Sequence, residues 1–284
     1  MLGAERPDLL CFATLPQVRL GLVELGVKHG VRAIAFEKPI ALTLAEARRI
    51  VDLCAGAGVK AVVCHQLKFG SHWRRAQALV ASGEIGEVRL LHATGRPSML
   101  RVGTHLVDHM LWLNDGHRAL RVIGQAHGRN AYREDHPCPD HVAGVIEFAN
   151  GARGLLECGT LAPRLLDRDD VWADAGLTVY GTQGWARVTV ADGWQALTRA
   201  SQGRILSGPP DPAPQEPAFY EALADWVQSP PRGHPSSVEV AYHGFEILIG
   251  LALSSLERRA VDLPIAPLPS EPVLPRLERT LEAG

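Results

Sequence analysis

The sequence predicts a chain in two styles: an α/β unit on a parallel sheet, then an α+β unit on a largely antiparallel sheet. Three observations carry that prediction. Between residues 9 and 83, short apolar runs alternate with helix-period segments, as parallel βαβ units require. Between residues 88 and 190, strand-like runs follow one another almost directly, as an antiparallel sheet requires. The 284 residues are 46% hydrophobic and 21% charged, a composition able to bury two ordinary cores. The predicted units are residues 1–87 and 88–284, with the last helix able to pack back on the first unit.

Residues 9–13 read as a short apolar strand. Pro16 opens a helix, where proline's missing N–H costs nothing, with Val18, Leu22 and Leu25 as its apolar face and Gly30 as its stop. Residues 31–36 form a buried strand ending in Glu37-Lys38-Pro39. Thr43 and Glu46 make a capping box, and Leu44, Ala47, Val51 and Cys54 stripe the helix behind it. Gly56 and Gly58 end that helix, residues 59–64 are a third strand, and a further helix spans 71–83. Right-handed crossovers between these strands build one face of a doubly wound sheet.

Residues 88–94 are the first strand of the second unit, and 104–113 a short helix. Strands follow at 121–130, 141–148, 152–160, 177–180 and 186–190, with turns at Asn150-Gly151 and Thr182 to Gly184. The proline-rich stretch 203–217 reads as a loop. Helices at 218–228 and 237–258 close the chain, the second behind a capping box of Ser236 and Glu239. The proline-rich tail beyond Pro264 is expected to lie extended on the surface. Trp73, Trp112 and Trp226 fall on apolar helix faces and read as core.

A net charge of −2 argues against a nucleic-acid surface and against a polybasic membrane contact. No apolar run reaches the roughly 18 residues of a spanning helix, and the N-terminus has no signal-peptide pattern. The five scattered cysteines include no CxxC pair and read as reduced thiols of a cytoplasmic protein. Asp135-His136-Pro137-Cys138-Pro139-Asp140-His141 holds metal-capable side chains, but its two prolines and the lack of a second cluster make it a loop, so no metal is expected.

Glu37 and Lys38 stand at the C-terminal end of a buried strand, the edge where open α/β sheets bind ligands. Pro39 keeps its predecessor out of the helical region and so aims Lys38. Position alone leaves two readings, a ligand-binding pair or a solvated one. His105 and Asp108 are spaced to share one helix face. A histidine there can exchange a proton with a hydroxyl near neutral pH, or simply be satisfied by the neighbouring carboxylate. His65 and Gln66 follow a strand at the same edge as Lys38.

In order along the chain come Ala13-Thr14-Leu15-Pro16, Glu37-Lys38-Pro39 with Ile40-Ala41-Leu42-Thr43-Leu44-Ala45-Glu46-Ala47, Ser82-Gly83-Glu84-Ile85-Gly86-Glu87-Val88, Gly103-Thr104-His105-Leu106-Val107-Asp108, and the stretch 252–264. This series resembles the Gfo/Idh/MocA family of glucose–fructose oxidoreductase and inositol dehydrogenase-like proteins over nearly the whole chain. The resemblance implies a partial Rossmann-like domain followed by a substrate and oligomerisation domain. It implies NAD or NADP as cofactor, and hydride transfer to or from a sugar, polyol or related small hydroxy compound. It makes Lys38 the group beside the nicotinamide and the reacting carbinol, and His105 the acid/base. Thr14, Pro16, Glu37, Lys38 and Pro39 would lie along the cofactor, and Arg101, Asp108 and His65 along the substrate. A homodimer or homotetramer is expected.

The chain departs from the family pattern in three ways. Family members begin with a strand, a Gly-x-Gly-x-x-Gly turn and a helix that hold the pyrophosphate, then a strand whose acid reads the ribose. This sequence starts after those units, so it is expected to be N-terminally truncated and of lower stability, with the edge beside residues 9–13 exposed. Gly56-Ala57-Gly58 follows a helix and precedes a strand, the reverse of the required order. Arg101 stands where many relatives carry an aspartate four residues before the histidine; a cation there opposes protonation of the imidazole and suits an anionic substrate. Arg19 stands where a histidine is usual. The alternative is therefore a catalytically inactive relative that serves as a small-molecule sensor or partner subunit. A cofactor-independent lyase or hydrolase ranks last.

Overall fold

The computed structural model of the chain describes residues 2–228 and 233–282. After a short helix α1 (Leu2–Glu5), strands β1 (Leu9–Phe12), β2 (Ala33–Phe36) and β3 (Lys60–Val63) form a parallel sheet in that order. Helix α2 (Arg19–Lys28) links the first pair and α3 (Leu44–Ala57) the second. Alternation decides which face each residue serves. Ala33, Ala35 and Val62 pack with Phe69 under Phe219 and Leu223 of α6 (Glu216–Gln228). Ile34, Phe36 and Val63 face the main core. β2 is buried throughout, whereas β1 alternates between exposed and half-buried because nothing pairs with its outer edge among the described residues.

Pro16 starts a separate 3-10 turn, Pro16–Val18, and α2 begins only at Arg19. The expected apolar face of α2 is corrected: Val18 and Leu25 are exposed, and Arg19, Val23 and Gly26 face inward. The sheet chose the face that can approach closely. A Cβ at Gly26 would lie 2.9 Å from Ile34 Cδ1 and 3.0 Å from Leu10 Cδ2. The α3 capping box forms, with the Glu46 N–H donating to Thr43 Oγ1 at 3.1 Å. Gly58, at φ 67°, ends the helix in the left-handed conformation that glycine reaches without strain.

After α4 (Ser71–Ala81), strand β4 (Val88–Gly95) enters the second sheet, and α5 (Thr104–Leu113) follows. The sheet is completed by β5 (Ala119–Arg129), β6 (Pro139–Phe148), β7 (Arg153–Gly159), β8 (Ala175–Gly181), β9 (Trp185–Thr189), β10 (Gly193–Leu197), β11 (Leu206–Gly208) and β12 (Val261–Asp262). The spatial order is β11-β10-β9-β8-β4-β7-β6-β5-β12, antiparallel except for the β4–β7 pair. β10 and β11 were missed from sequence; β11 lies in the stretch read as a loop, where prolines masked a short edge strand.

Helix α7 (Val238–Glu257) is the strut between the sheets. It packs on α3, α5 and β5 and carries apolar residues nearly all round, as a buried helix must. Gly124 lets it lie flat on β5, since a Cβ there would sit 2.7 Å from the Leu251 Cα. The expected Ser236/Glu239 capping box is corrected: Ser237 is the N-cap, without a side-chain hydrogen bond, and Ser236 instead accepts β3's Val63 N–H through its carbonyl at 3.0 Å. The tail is not simply extended: α8 (Val273–Glu278) buries Val273, Leu274 and Leu277. Among the described residues, no helix is long and apolar enough to cross a membrane.

Candidate active site

The site lies where the C-terminal ends of β1, β2 and β3 meet the first turn of α5. The loop after β1 supplies Thr14, the loop after β2 supplies Glu37 and Lys38, and His65 follows β3. A 3-10 turn, Gln66–Phe69, then carries Lys68 inward. α5 is preceded by a π-helical turn, Met99–Gly103, which bears Arg101. Nine of the ten residues of α5 are buried, so its polar side chains have only one another and the loops as partners.

Arg19 organises the loops after β1 and β2. Its side chain is almost wholly buried and donates to the Thr14 carbonyl at 2.7 Å, to the Lys38 carbonyl at 3.2 Å and to the Pro39 carbonyl. One guanidinium thus ties the β1 loop to the β2 loop. Burial lowers its pKa to about 10, with Glu37 opposing, so it stays cationic at neutral pH. In the sequence Arg19 stands out only as a departure from the family pattern; its role as a clamp depends on two loops that only folding brings together. A depression of about 630 Å³ opens here, lined by Ala13, Thr14, Leu15, Val18, Glu37 and Lys38 among others. Pro16 and Pro39 shape the loops from beneath, both buried.

Behind Lys38 lies a buried polar cluster. Asp108 forms an ion pair with Lys68 at 2.6 Å, both side chains 1% exposed, and Lys68 also donates to the Pro235 carbonyl at 2.8 Å. The second Asp108 oxygen lies 3.5 Å from His65 Nδ1, long for a hydrogen bond but close for a charge. The His65 and His105 rings meet edge-on at 5.0 Å, and His109 stacks on Trp73 at 4.0 Å. Lys68 and His109 were missed from sequence. Lys68 sits between Leu67 and Phe69 in a turn, with no spacing signal to pair it with Asp108.

The electrostatics follow from this packing. Burial pushes the His105 pKa well below 6.5, His65, Lys38 and His109 push further, and Asp108 opposes without prevailing. Burial likewise brings His109 down to about 3. For Asp108, burial works upward, but Lys68 and His65 outweigh it and hold the carboxyl well below the usual range. Lys38 is lowered by burial, with Glu37 opposing and Arg101 and Arg19 adding. At neutral pH the cluster therefore presents a neutral His105 imidazole beside a half-buried lysine.

Of the expected substrate-side residues, Asp108 is committed to Lys68 and His65, and His65 touches His105 directly. Arg101 is part-exposed and pairs through Nε with Glu134 at 2.7 Å. A depression of about 1020 Å³ lies at the far end of α7 beside β5 and α8. Its lining holds no His, Asp, Glu or Lys, so it offers no acid–base chemistry.

Residues 73–187 match the model of the GFO/IDH/MocA C-terminal domain. D-apiose dehydrogenase of Paraburkholderia graminis is 38% identical over 86 residues, covering 30% of this chain and 23% of that one. The aligned stretches span 23% and 54% of the lengths of the two curated relatives matched. An oxidoreductase of Agrobacterium radiobacter, solved with NAD+, L-tartaric acid and magnesium, superposes with a TM-score of 0.76 at 18% identity, covering 90% of this chain and 80% of that one. An inositol dehydrogenase homolog of Azotobacter vinelandii, solved with NADH and myo-inositol, gives 0.73 at 15% identity, covering 90% and 78%. At these identities the structural likeness establishes the fold.

Proposed function

Because residues 73–187 match the GFO/IDH/MocA C-terminal domain, we propose that this chain serves NAD(P)-dependent hydride transfer between a nicotinamide and a sugar, polyol or related hydroxy compound. The observation that carries the reading is the neutral, buried His105 beside Lys38 at the C-terminal edge of the parallel strands. In this reading residues 1–87 form the cofactor side and 88–284 the substrate side.

The residues present fit the nicotinamide end of such a cofactor. Thr14 Oγ1 is buried without a partner among the described residues, and it borders the depression that Glu37 and Lys38 line. Thr14, Glu37 and Lys38 would hold the ribose and nicotinamide, with Pro16 and Pro39 fixing their loops. The cofactor, when bound, supplies the hydride acceptor or donor. His105 does the proton work. In the oxidative direction it takes the substrate hydroxyl proton as the carbon–hydrogen bond breaks, and it returns that proton in reduction. Lys38 donates a hydrogen bond to the same substrate oxygen, holding the carbinol against His105 and favouring loss of its proton. Asp108, anchored by Lys68, sets the position of His65 and through it the edge of His105; these are positioning residues.

The test is a titration with NADH and NADPH followed by nicotinamide fluorescence, with turnover of sugars and polyols as the second readout. Saturable micromolar binding with turnover that Lys38→Ala or His105→Asn lowers by about 10²–10⁴-fold supports the reading. No binding at millimolar cofactor favours the alternative of a ligand-sensing relative.

The open face of the second sheet carries a further part of the proposal. Ile123, Val145 and Tyr180 are exposed on it, and a sheet face of this kind is covered by a second copy in the homodimer or homotetramer we propose.

A further inference from the structure

We propose that Arg101 determines specificity at this site, selecting substrates that carry a carboxylate close to the reacting hydroxyl: hydroxy acids and sugar acids in preference to neutral sugars and polyols. This rests on the reading of His105 and Lys38 as the groups that hold the reacting carbinol.

The geometry of the guanidinium argues for a built anion site. Arg101 stands about one helical turn before His105, in the π-helical turn that feeds α5. Its Nε donates to Glu134 Oε1 at 2.7 Å, and the Ser98 hydroxyl donates to the same oxygen at 2.7 Å. Its planar group lies over the Trp172 ring at 4.7 Å. These contacts fix the plane and direction of the guanidinium without using its two terminal nitrogens, which make no hydrogen bond to any described residue and are not among the buried polar atoms. An arginine held through Nε and one face presents those nitrogens as a ready fork for a carboxylate, at little further entropic cost.

The charge balance points the same way. Around the cleft, Lys38, Arg19 and Arg101 face Glu37 and Glu134, and His105 is neutral. Glu134 is 10% exposed, with one oxygen already shared by Ser98 and Arg101, so it neutralises Arg101 without occupying the fork. A bound carboxylate supplies the missing negative charge beside Lys38. A neutral polyol leaves both the fork and the charge unanswered. The spacing of about one helical turn between Arg101 and His105 would place the carboxylate within a few bonds of the carbinol, which fits compact hydroxy acids and aldonic or uronic acids.

The experiment compares matched probes on the full chain: L-tartrate, D-gluconate and D-glucuronate against glycerol, D-sorbitol and D-glucose. Binding is read by calorimetry without cofactor and turnover with NAD+ and NADP+, for the wild type, Arg101→Gln, Arg101→Lys and Trp172→Ala. The proposal expects acids to bind at least tenfold better than their neutral partners. Arg101→Gln should remove that preference, by about 10- to 100-fold for acids and little for neutral probes, and Arg101→Lys should restore only part of it. Equal treatment of acids and neutral probes by the wild type, with turnover present, overturns the proposal and leaves the dehydrogenase reading standing. Arg101-dependent acid binding without any nicotinamide-linked turnover supports the anion site and counts against the dehydrogenase reading. Absence of both acid binding and turnover overturns both. Glu134→Gln with Arg101→Gln, which removes the buried carboxylate together with its partner, separates loss of the fork from misfolding: an unchanged melt with the same loss of acid preference supports the proposal.

Discussion

His105 and His109 lie where folding strips their rings of water without giving either a strong acidic partner. Burial is the main cause of their lowered pKa values; Lys68 and His65 reinforce it at His109, His65 and Lys38 at His105, and the opposing carboxylate, Asp108, is already held by Lys68. The sign of the pH dependence follows. Above pH 6.5 neither state binds these protons. Below it the unfolded chain takes them and the folded chain does not, so stability falls as the pH drops from 6.5, by at most about 1.4 kcal/mol per pH unit for each histidine. Depression of Asp108 acts in the same direction at lower pH. Urea melts at pH 7.5, 6.0 and 5.0 check this, and His109→Phe, which keeps the stack on Trp73, should flatten the slope; an unchanged slope would show that the ring titrates freely. The Lys68–Asp108 pair makes a second prediction. Lys68→Met strands a buried carboxylate and should cost about 3–5 kcal/mol, and adding Asp108→Leu should recover much of it. If the single and double variants melt alike, the carboxylate is not stranded and the pair is not what holds α5 in register.

At the scale of elements, strand–helix alternation was readable because each unit carries its own local signals. The Thr43 cap, Gly58 and the apolar run Ala33–Phe36 all behave as their sequence implies. The α2 face was not readable in that way. Both stripes of that helix are apolar enough to be buried, and the choice fell to the one bearing Gly26, where α2 can meet Ile34 and Leu10 closely. Contact distance decided it, and contact distance is not written in a periodicity. The same physics governs α7 on β5. Gly124→Ala should destabilise by about 1–3 kcal/mol, because its Cβ meets Leu251 backbone that cannot rotate away, whereas Gly56→Ala, with nothing near it, should be neutral or stabilising. Chemical denaturation of the two variants side by side checks the contrast; equal effects would mean that α7 has room to shift.

For the whole molecule, the two sheets share one strut. Because α7 packs on α3, α5 and β5, the β2 and β3 loops and the start of α5 are held to each other by a single rigid helix. The outer face of the second sheet has no such cover among the described residues, and Ile123 is 53% exposed there. Light scattering after gel filtration should show a dimer or tetramer, and Ile123→Lys with Val145→Glu should shift it toward the monomer without changing the monomer's fold. A monomeric wild type would mean that this face is tolerated in water.

The sequence by itself determined the strand–helix order and the parallel and then antiparallel sheets, and it offered the two candidates Lys38 and His105. Those features are encoded in short-range patterns: period, caps and strand-end positions. Only the tertiary structure decided the partners. It set Arg19 across two loops, buried Lys68 against Asp108, stacked His109 on Trp73, and fixed the Arg101 plane with Glu134 and Trp172. Each of these joins residues far apart in the chain. Their strength comes from burial and mutual charge, which exist only once the chain has closed around them.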